Sequence, residues 1–159
     1  MAETIYSVYN AAVQTTATPT GVATGTAVKT LLQGTAPAAK QIEIVAWGIS
    51  FDTAPVGRVE LIHTTTVAGG TPTAVVPTVW SNPNDPAAAS TWGFSPTTEG
   101  TVVATVRVLD MQQAAAAGPH VFWFPAFERP VIPASGVVRV RCTMTTAAAA
   151  LTWVLFKEA

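Results

Sequence analysis

Charge is scarce in this 159-residue chain: Asp, Glu, Lys and Arg make up 11% of it, against an ordinary share of about 25%. The formal net charge is −1. A chain so nearly neutral offers neither the basic groove that nucleic acid requires nor the basic patch that an anionic membrane surface attracts. Cysteine is scarcer still. Cys142 stands alone, which excludes an intrachain disulfide and any zinc site built from cysteines. It alternates with Val138, Val140 and Met144, the pattern of a small buried side chain and not of a nucleophile. The opening residues, Met1 to Tyr6, carry no basic-then-apolar leader, so no secretory signal is expected. No uninterrupted run of about 20 apolar residues is present to span a bilayer. Synthesis in a reducing cytoplasm is expected.

Reactive constellations are missing too. His63 and His120 fall in separate segments, and neither H-x-H nor H-x-x-x-H spacing occurs, so no metal site is expected. There is no G-x-S-x-G nucleophile turn, and the glycine-containing stretches lack a following P-loop lysine. The carboxylates are scattered singly, without the pairing that glycoside hydrolysis needs. The expectation is a protein that is not an enzyme, with no catalytic residues and no cofactor.

What the chain does have is β-forming sequence. Apolar residues make up 49%, and a chain of this length can bury roughly 70% of its unfolded surface in one domain. Residues 41–52 alternate most clearly, with Val45, Trp47, Ile49 and Phe51 on one face and Ala46, Gly48, Ser50 and Asp52 on the other. The first face calls for a core, and the second is small enough for another sheet or subunit to approach. Residues 58–66 return after a turn at 52–57 with hairpin-like spacing. Further strands are expected at 26–33, 73–79, 101–109 and 121–124, with 137–146 and 151–157 as a closing pair. Segment 101–109 is apolar on both faces, so it belongs inside a sheet. Ala114–Ala117 extends a helical turn from Asp110-Met-Gln-Gln until Gly118-Pro119 stops it. Arg139 and Arg141 share one face of their strand, either solvated or pairing with acids of a neighbouring subunit. Short strands, uneven spacings and no long helix predict an all-β fold: an antiparallel β-sandwich, jelly-roll-like, with a long Pro-rich loop. A closed up-and-down barrel is the alternative.

Two segments sit outside that frame. Residues 1–25 are rich in Thr, Ala and Gly with scattered anchors such as Tyr6 and Tyr9. They read as an N-terminal strand or an extended arm, with residues 26–159 as a single sandwich domain. Residues 67–100 form a long irregular stretch carrying Trp80, Trp92 and Asn82-Pro-Asn-Asp85-Pro86 between them. Loops of this length are usually functional or packed on something. The two tryptophans can plug the end of the sandwich, anchor a protein interface, or stack on sugar rings. Tyr6, Tyr9, Trp80, Asp85 and Trp92 are the candidate interface residues.

Certain phrases resemble a known group. Lys40-Gln-Ile-Glu-Ile-Val-Ala-Trp47-Gly48-Ile-Ser-Phe51-Asp52 is followed by Arg58-Val-Glu60-Leu, then Ser81-Asn-Pro-Asn-Asp85-Pro86-Ala, Trp123-Phe-Pro125, Glu128-Arg129-Pro130 and Val138-Arg139-Val140-Arg141. Over roughly residues 26–157 these resemble small virion proteins of tailed phages of actinobacteria and related hosts, of the capsid decoration or minor head type. The resemblance implies a structural protein on the outer capsid surface, bound to the major capsid protein and self-associating, with a trimer as the first expectation. It implies no active site. The alternative function is a carbohydrate-binding or adhesin-type β-sandwich module, with Trp80 and Trp92 as its platform.

Overall fold

Alternating side chains of opposite character build the two longest strands of one sheet, and their apolar faces meet those of a second sheet. The computed structural model describes residues 3–11, 18–65, 67, 70–96, 98–99 and 107–159. The described residues are all-β and contain no helix. Strands β1 (Tyr6–Tyr9), β2 (Val22–Ala23), β3 (Val28–Thr35), β4 (Ile42–Phe51) and β5 (Val56–Thr64) lead. They are followed by β6 (Thr73–Val75), β7 (Thr78–Val79), β8 (Thr91–Phe94) and β9 (Arg107–Ala114). The chain closes with β10 (Gly118–Trp123), β11 (Val131–Ile132), β12 (Val137–Thr146) and β13 (Ala149–Glu158). A seven-stranded antiparallel sheet runs β10-β4-β13-β1-β7, with β11 also on β4 and β2 on β13. A six-stranded antiparallel sheet runs β6-β8-β3-β12-β5-β9. The two pack as a β-sandwich, and the chain crosses between the sheets from β3 to β4, β4 to β5, β9 to β10 and β12 to β13, among other places.

Those crossings correct two expectations. Residues 41–52 and 58–66 are not a hairpin: β4 and β5 lie in opposite sheets, and the turn between them carries the chain over the sandwich edge. The strands at the C-terminal end are likewise not partners. β12 lies between β3 and β5, and β13 lies between β4 and β1. A short connection is all that separates two stacked sheets about 10 Å apart, so its length does not distinguish a hairpin from a crossover.

The core sits between the sheets. Trp47, Ile49 and Phe51 of β4 point into it with Leu61, Val140 and Phe156. Val45 does not, which corrects its assignment to that face. The register between β4 and β13 shifts between Leu155 and Phe156, so that Leu155 opposes Ala46 while Phe156 opposes Ile44. The extra residue of this bulge is Val45, and it packs on the outer side with Ala46 and Leu155. A bulge inserts one residue and so inverts the alternation beyond it, which brings Ile42 and Ile44 into the core.

Three other segments differ from expectation. Asp110–Ala114 continue β9, paired with Gly57–Leu61 of β5, where a helical turn was expected. Pairing and burial override the helical preference of Met, Gln and Ala. Positions 101–106 of the expected strand 101–109 lie outside the described residues. The strand expected over 73–79 is split, β6 joining one sheet and β7 the other. Of the readings for residues 1–25, Tyr6–Tyr9 form a strand, inserted between β13 and β7. Tyr6 and Val8 are core residues, 3% and 1% exposed, so the Tyr6–Tyr9 strand is part of the sandwich, while residues 12–17 lie outside the described residues.

Candidate interaction surface

The structure separates the five candidate interface residues. Tyr6 is buried, stacked on Phe156 with ring centroids 5.4 Å apart, and its hydroxyl donates to the Pro86 carbonyl at 3.1 Å. Burial, reinforced by the nearby Glu158 and Asp85 carboxylates, pushes its phenol pKa up. Trp92 is buried as well. Its ring lies 4.9 Å from that of Phe156, and its Nε1 donates to Ser90 Oγ at 3.0 Å. Of the three roles open to Trp92, this is the plug within the sandwich. Asp85 clamps the loop: its Oδ2 accepts from Thr4 Oγ1 at 3.0 Å and from Ser81 Oγ at 3.2 Å. Glu158 fastens the same loop by accepting from the Ala89 and Ser90 amides at 3.0 and 2.8 Å. Burial works against its charge, but those bonds and Lys40 outweigh it and hold its pKa below the usual value. Tyr9 and Trp80 remain accessible, Tyr9 half-buried and Trp80 58% exposed.

These last two belong to one surface, the outer face of the seven-stranded sheet. Register places Tyr9 opposite Trp153, Trp153 opposite Gly48, and Gly48 opposite Val121. One step along, Leu155, Ala46 and Trp123 share the same face. Trp80 follows β7, and its amide donates to the Ile5 carbonyl at 2.8 Å, so alternation from Thr78 puts it on that side too. Trp123 is 55% and Val121 48% exposed. Trp153 lies flat on the strand below it, since a Cβ at Gly48 would come within 2.6 Å of its ring. The space over Ala46 and Gly48, expected to admit a neighbour, is therefore filled by the chain's own Trp153 and Leu155. Three of the five tryptophans thus occupy one outer face.

Among the described residues, the charges on this face lie at its ends. At one end Lys157 pairs with Glu3 and lies 3.8 Å from Glu43, which also pairs with Arg129 at 2.9 Å. At the other, Asp52 Oδ1 accepts from the Ala149 amide at 2.8 Å. The outer face of the six-stranded sheet is different in kind. There Arg141 and Arg58 bracket the buried Glu60 at 2.6 and 2.9 Å, and Glu99 accepts from the Thr30 amide and hydroxyl at 2.5 and 2.6 Å. Arg141 is thereby engaged within its own chain, where pairing with a neighbouring subunit had been one of the two readings.

The remaining titratable groups are built into the fold. His63 is buried and accepts from Arg107 Nε at 3.4 Å. Burial first and the Arg107 charge second lower its pKa. Cys142 is fully buried, and burial above all, with Glu99 adding, pushes its thiol pKa up to about 12. Among the described residues no three His, Cys, Asp or Glu side chains come together as metal ligands. No protein-family model, curated protein or solved structure matches this chain.

Sequence reasoning passed over Trp123, Trp153 and Val121. Their signal was available: Val121 and Trp123 alternate with His120 and Phe122, as Leu151, Trp153 and Leu155 do with Thr152 and Val154. What was lacking was the register that brings these separate alternations side by side.

Proposed function

We propose that this chain is a structural virion protein of the capsid decoration or cement type, stabilising a tailed-phage head through protein–protein contact at the outer face of its seven-stranded sheet. One observation carries the reading: Trp80, Trp123 and Trp153 share a sheet face on which the charges among the described residues lie at its ends. An exposed apolar surface with a polar rim is the anatomy of a protein interface, and tryptophan is the residue most enriched among interface anchors. Five strands at ~4.8 Å spacing and about six exposed residues at ~3.3 Å give a patch of roughly 400–500 Å². Each partner in a standard interface contributes about 800 Å², so this face supplies the apolar centre of such a contact.

The virion setting is supported by the resemblance of the phrases over residues 26–157. In that setting the partner is the major capsid protein, engaged on the outer surface at a site shared between neighbouring subunits. Self-association, as a trimer first, multiplies weak individual contacts into avidity. The carbohydrate-binding alternative has less to stand on, because Trp92 is 6% exposed and Trp80 is left without its platform partner.

The test is binding to assembled heads lacking the protein, compared with free capsid subunits and a glycan array. Binding to heads alone, lost in Trp123→Ser and in Trp80→Ser, is expected. Retention by both variants of full binding would refute the face, and binding to glycans without binding to heads would replace the reading with the carbohydrate module.

A further inference from the structure

One side chain has no place in the fold. Phe127 is 104% exposed, so nothing among the described residues covers it. Its position is nevertheless fixed. Pro125 and Pro130 bracket the segment, and a turn closes it where the Glu128 amide donates to the Pro125 carbonyl at 2.8 Å. The next segment is tied down as well: Ile44 N donates to the Pro130 carbonyl at 2.9 Å and Val131 pairs with Glu43. A phenyl ring held out into water on a rigid tip is arranged to be received by something.

Beside this tip lies a groove of about 730 Å³ between β9 and β10. Its apolar lining comes from Val108, Leu109, Phe122 and Phe124, and the two phenylalanines meet edge to face at 4.9 Å. Val108 is 53% and Phe122 38% exposed, so the groove is open. Arg107 stands at its rim, its guanidinium reaching the Val131 carbonyl. The carboxylate of Glu128, next to the knob, makes no hydrogen bond or ion pair with any described residue. Knob and receptor thus lie within one patch, Phe127 itself forming a wall of the groove, and their flanking charges are opposite.

We propose that this patch is a homotypic contact: Phe127 of one copy enters the β9–β10 groove of a second copy, and the second returns the contact about a two-fold axis. A two-fold interface requires that each surface contain both halves of the match, and this one does. Glu128 then meets Arg107 across the axis, and the charge complementarity sets the register. The occupant is a second copy because the groove carries the features that Phe127 and Glu128 need. The inference rests on the reading of this chain as an assembly protein, but it uses a surface separate from the tryptophan face.

The experiment is sedimentation velocity over a wide concentration range on wild type, Phe127→Ser and Val108→Asp, each checked for unaltered thermal melting. The wild type is expected to reach twice the limiting mass of either variant. The Phe127→Ser dissociation constant should be at least about thirty-fold weaker, the loss typical of a buried aromatic anchor. An equimolar mixture of the two variants should recover association in part, since Val108→Asp retains the knob and Phe127→Ser retains the Val108, Leu109, Phe122 and Phe124 lining of the groove. Wild-type association in Phe127→Ser, or no recovery on mixing, overturns the proposal. If Phe127→Ser associates normally but Trp123→Ser no longer binds heads, the knob is refuted and the assembly reading stands.

Discussion

Trp47→Ala and Trp123→Ala should separate the residues that make this fold from those on its accessible outer face. The two side chains are close in the sheet, Trp123 opposing Ala46 on the neighbouring strand, yet they point to opposite faces. Trp47 is 1% exposed and is flanked across the strands by Val154 and Phe122. A buried tryptophan removes some 150–250 Å² from water, about 4–6 kcal/mol at ~25 cal/mol per Å². Alanine retains part of that, and the surroundings collapse only in part around the void, so the loss should fall at about 3–5 kcal/mol. The bond from Trp47 Nε1 to Asp110 Oδ2 at 2.9 Å adds little, because Asp110 still accepts from Gln112 Nε2 at 2.9 Å and from the Met111 amide at 2.8 Å. Trp123 already has 55% of its surface in water, and the same area coefficient gives about 1–2 kcal/mol for its removal. The assay is urea unfolding followed by far-ultraviolet circular dichroism, at matched protein concentrations because association shifts apparent stability. A loss below about 1.5 kcal/mol for Trp47→Ala, or a larger loss for Trp123→Ala than for Trp47→Ala, would refute the assignment of faces.

Gly34→Ala should destabilise by about 1–3 kcal/mol through overpacking. The added Cβ would fall 2.6 Å from the ring of Trp92, which Phe156 blocks from retreating. An unchanged denaturation midpoint would mean that this ring is free to move. Gly48→Ala meets Trp153 at the same 2.6 Å, but that ring lies on the outer face and can lift, so its effect on stability should be smaller. Glu158→Gln should cost about 1.5–3 kcal/mol at neutral pH, as expected for hydrogen bonds to a charged group. The folded-state pKa of Glu158 is lowered, so its contribution is complete above the unfolded glutamate value of about 4.3 and fades as pH falls through the folded value. Urea melts of wild type and variant should therefore converge in acid, and a gap that stays constant from neutral pH to acid would show that the charge of Glu158 is not involved.

Much of the architecture was legible because two sheets in contact impose a period of two on the sequence. Residues 41–52 and 137–144 announce it, and the β-sandwich follows from several such segments without a helix between them. Pairing was not legible. The turn at 52–57 reads as a hairpin, yet it spans the sandwich, because local sequence encodes a reversal of direction and not which sheet receives the next strand. The bulge at Val45 was hidden in Ile42-Glu-Ile-Val-Ala, where neither glycine nor proline marks the extra residue. Asp110-Met-Gln-Gln-Ala is helical in composition and is a strand because β5 is there to pair with it. Of the candidate site, Tyr9 and Trp80 were identified from their type and segment. Tyr6 and Trp92 looked identical to them in the sequence and are core residues, because burial depends on the far ends of the chain: Phe156 is what covers both rings. Phe127 stands between Pro125 and Pro130, a setting in which nothing in the sequence tells whether a phenylalanine packs back or projects.

A density map of phage heads incubated with this chain, at a resolution that shows side chains, decides whether the tryptophan face is the proposed contact. Trp80, Trp123 and Trp153 are expected to lie against capsid protein. A map that leaves this face in solvent, with the particle contact made through the six-stranded sheet around Arg58 and Met111, would contradict it.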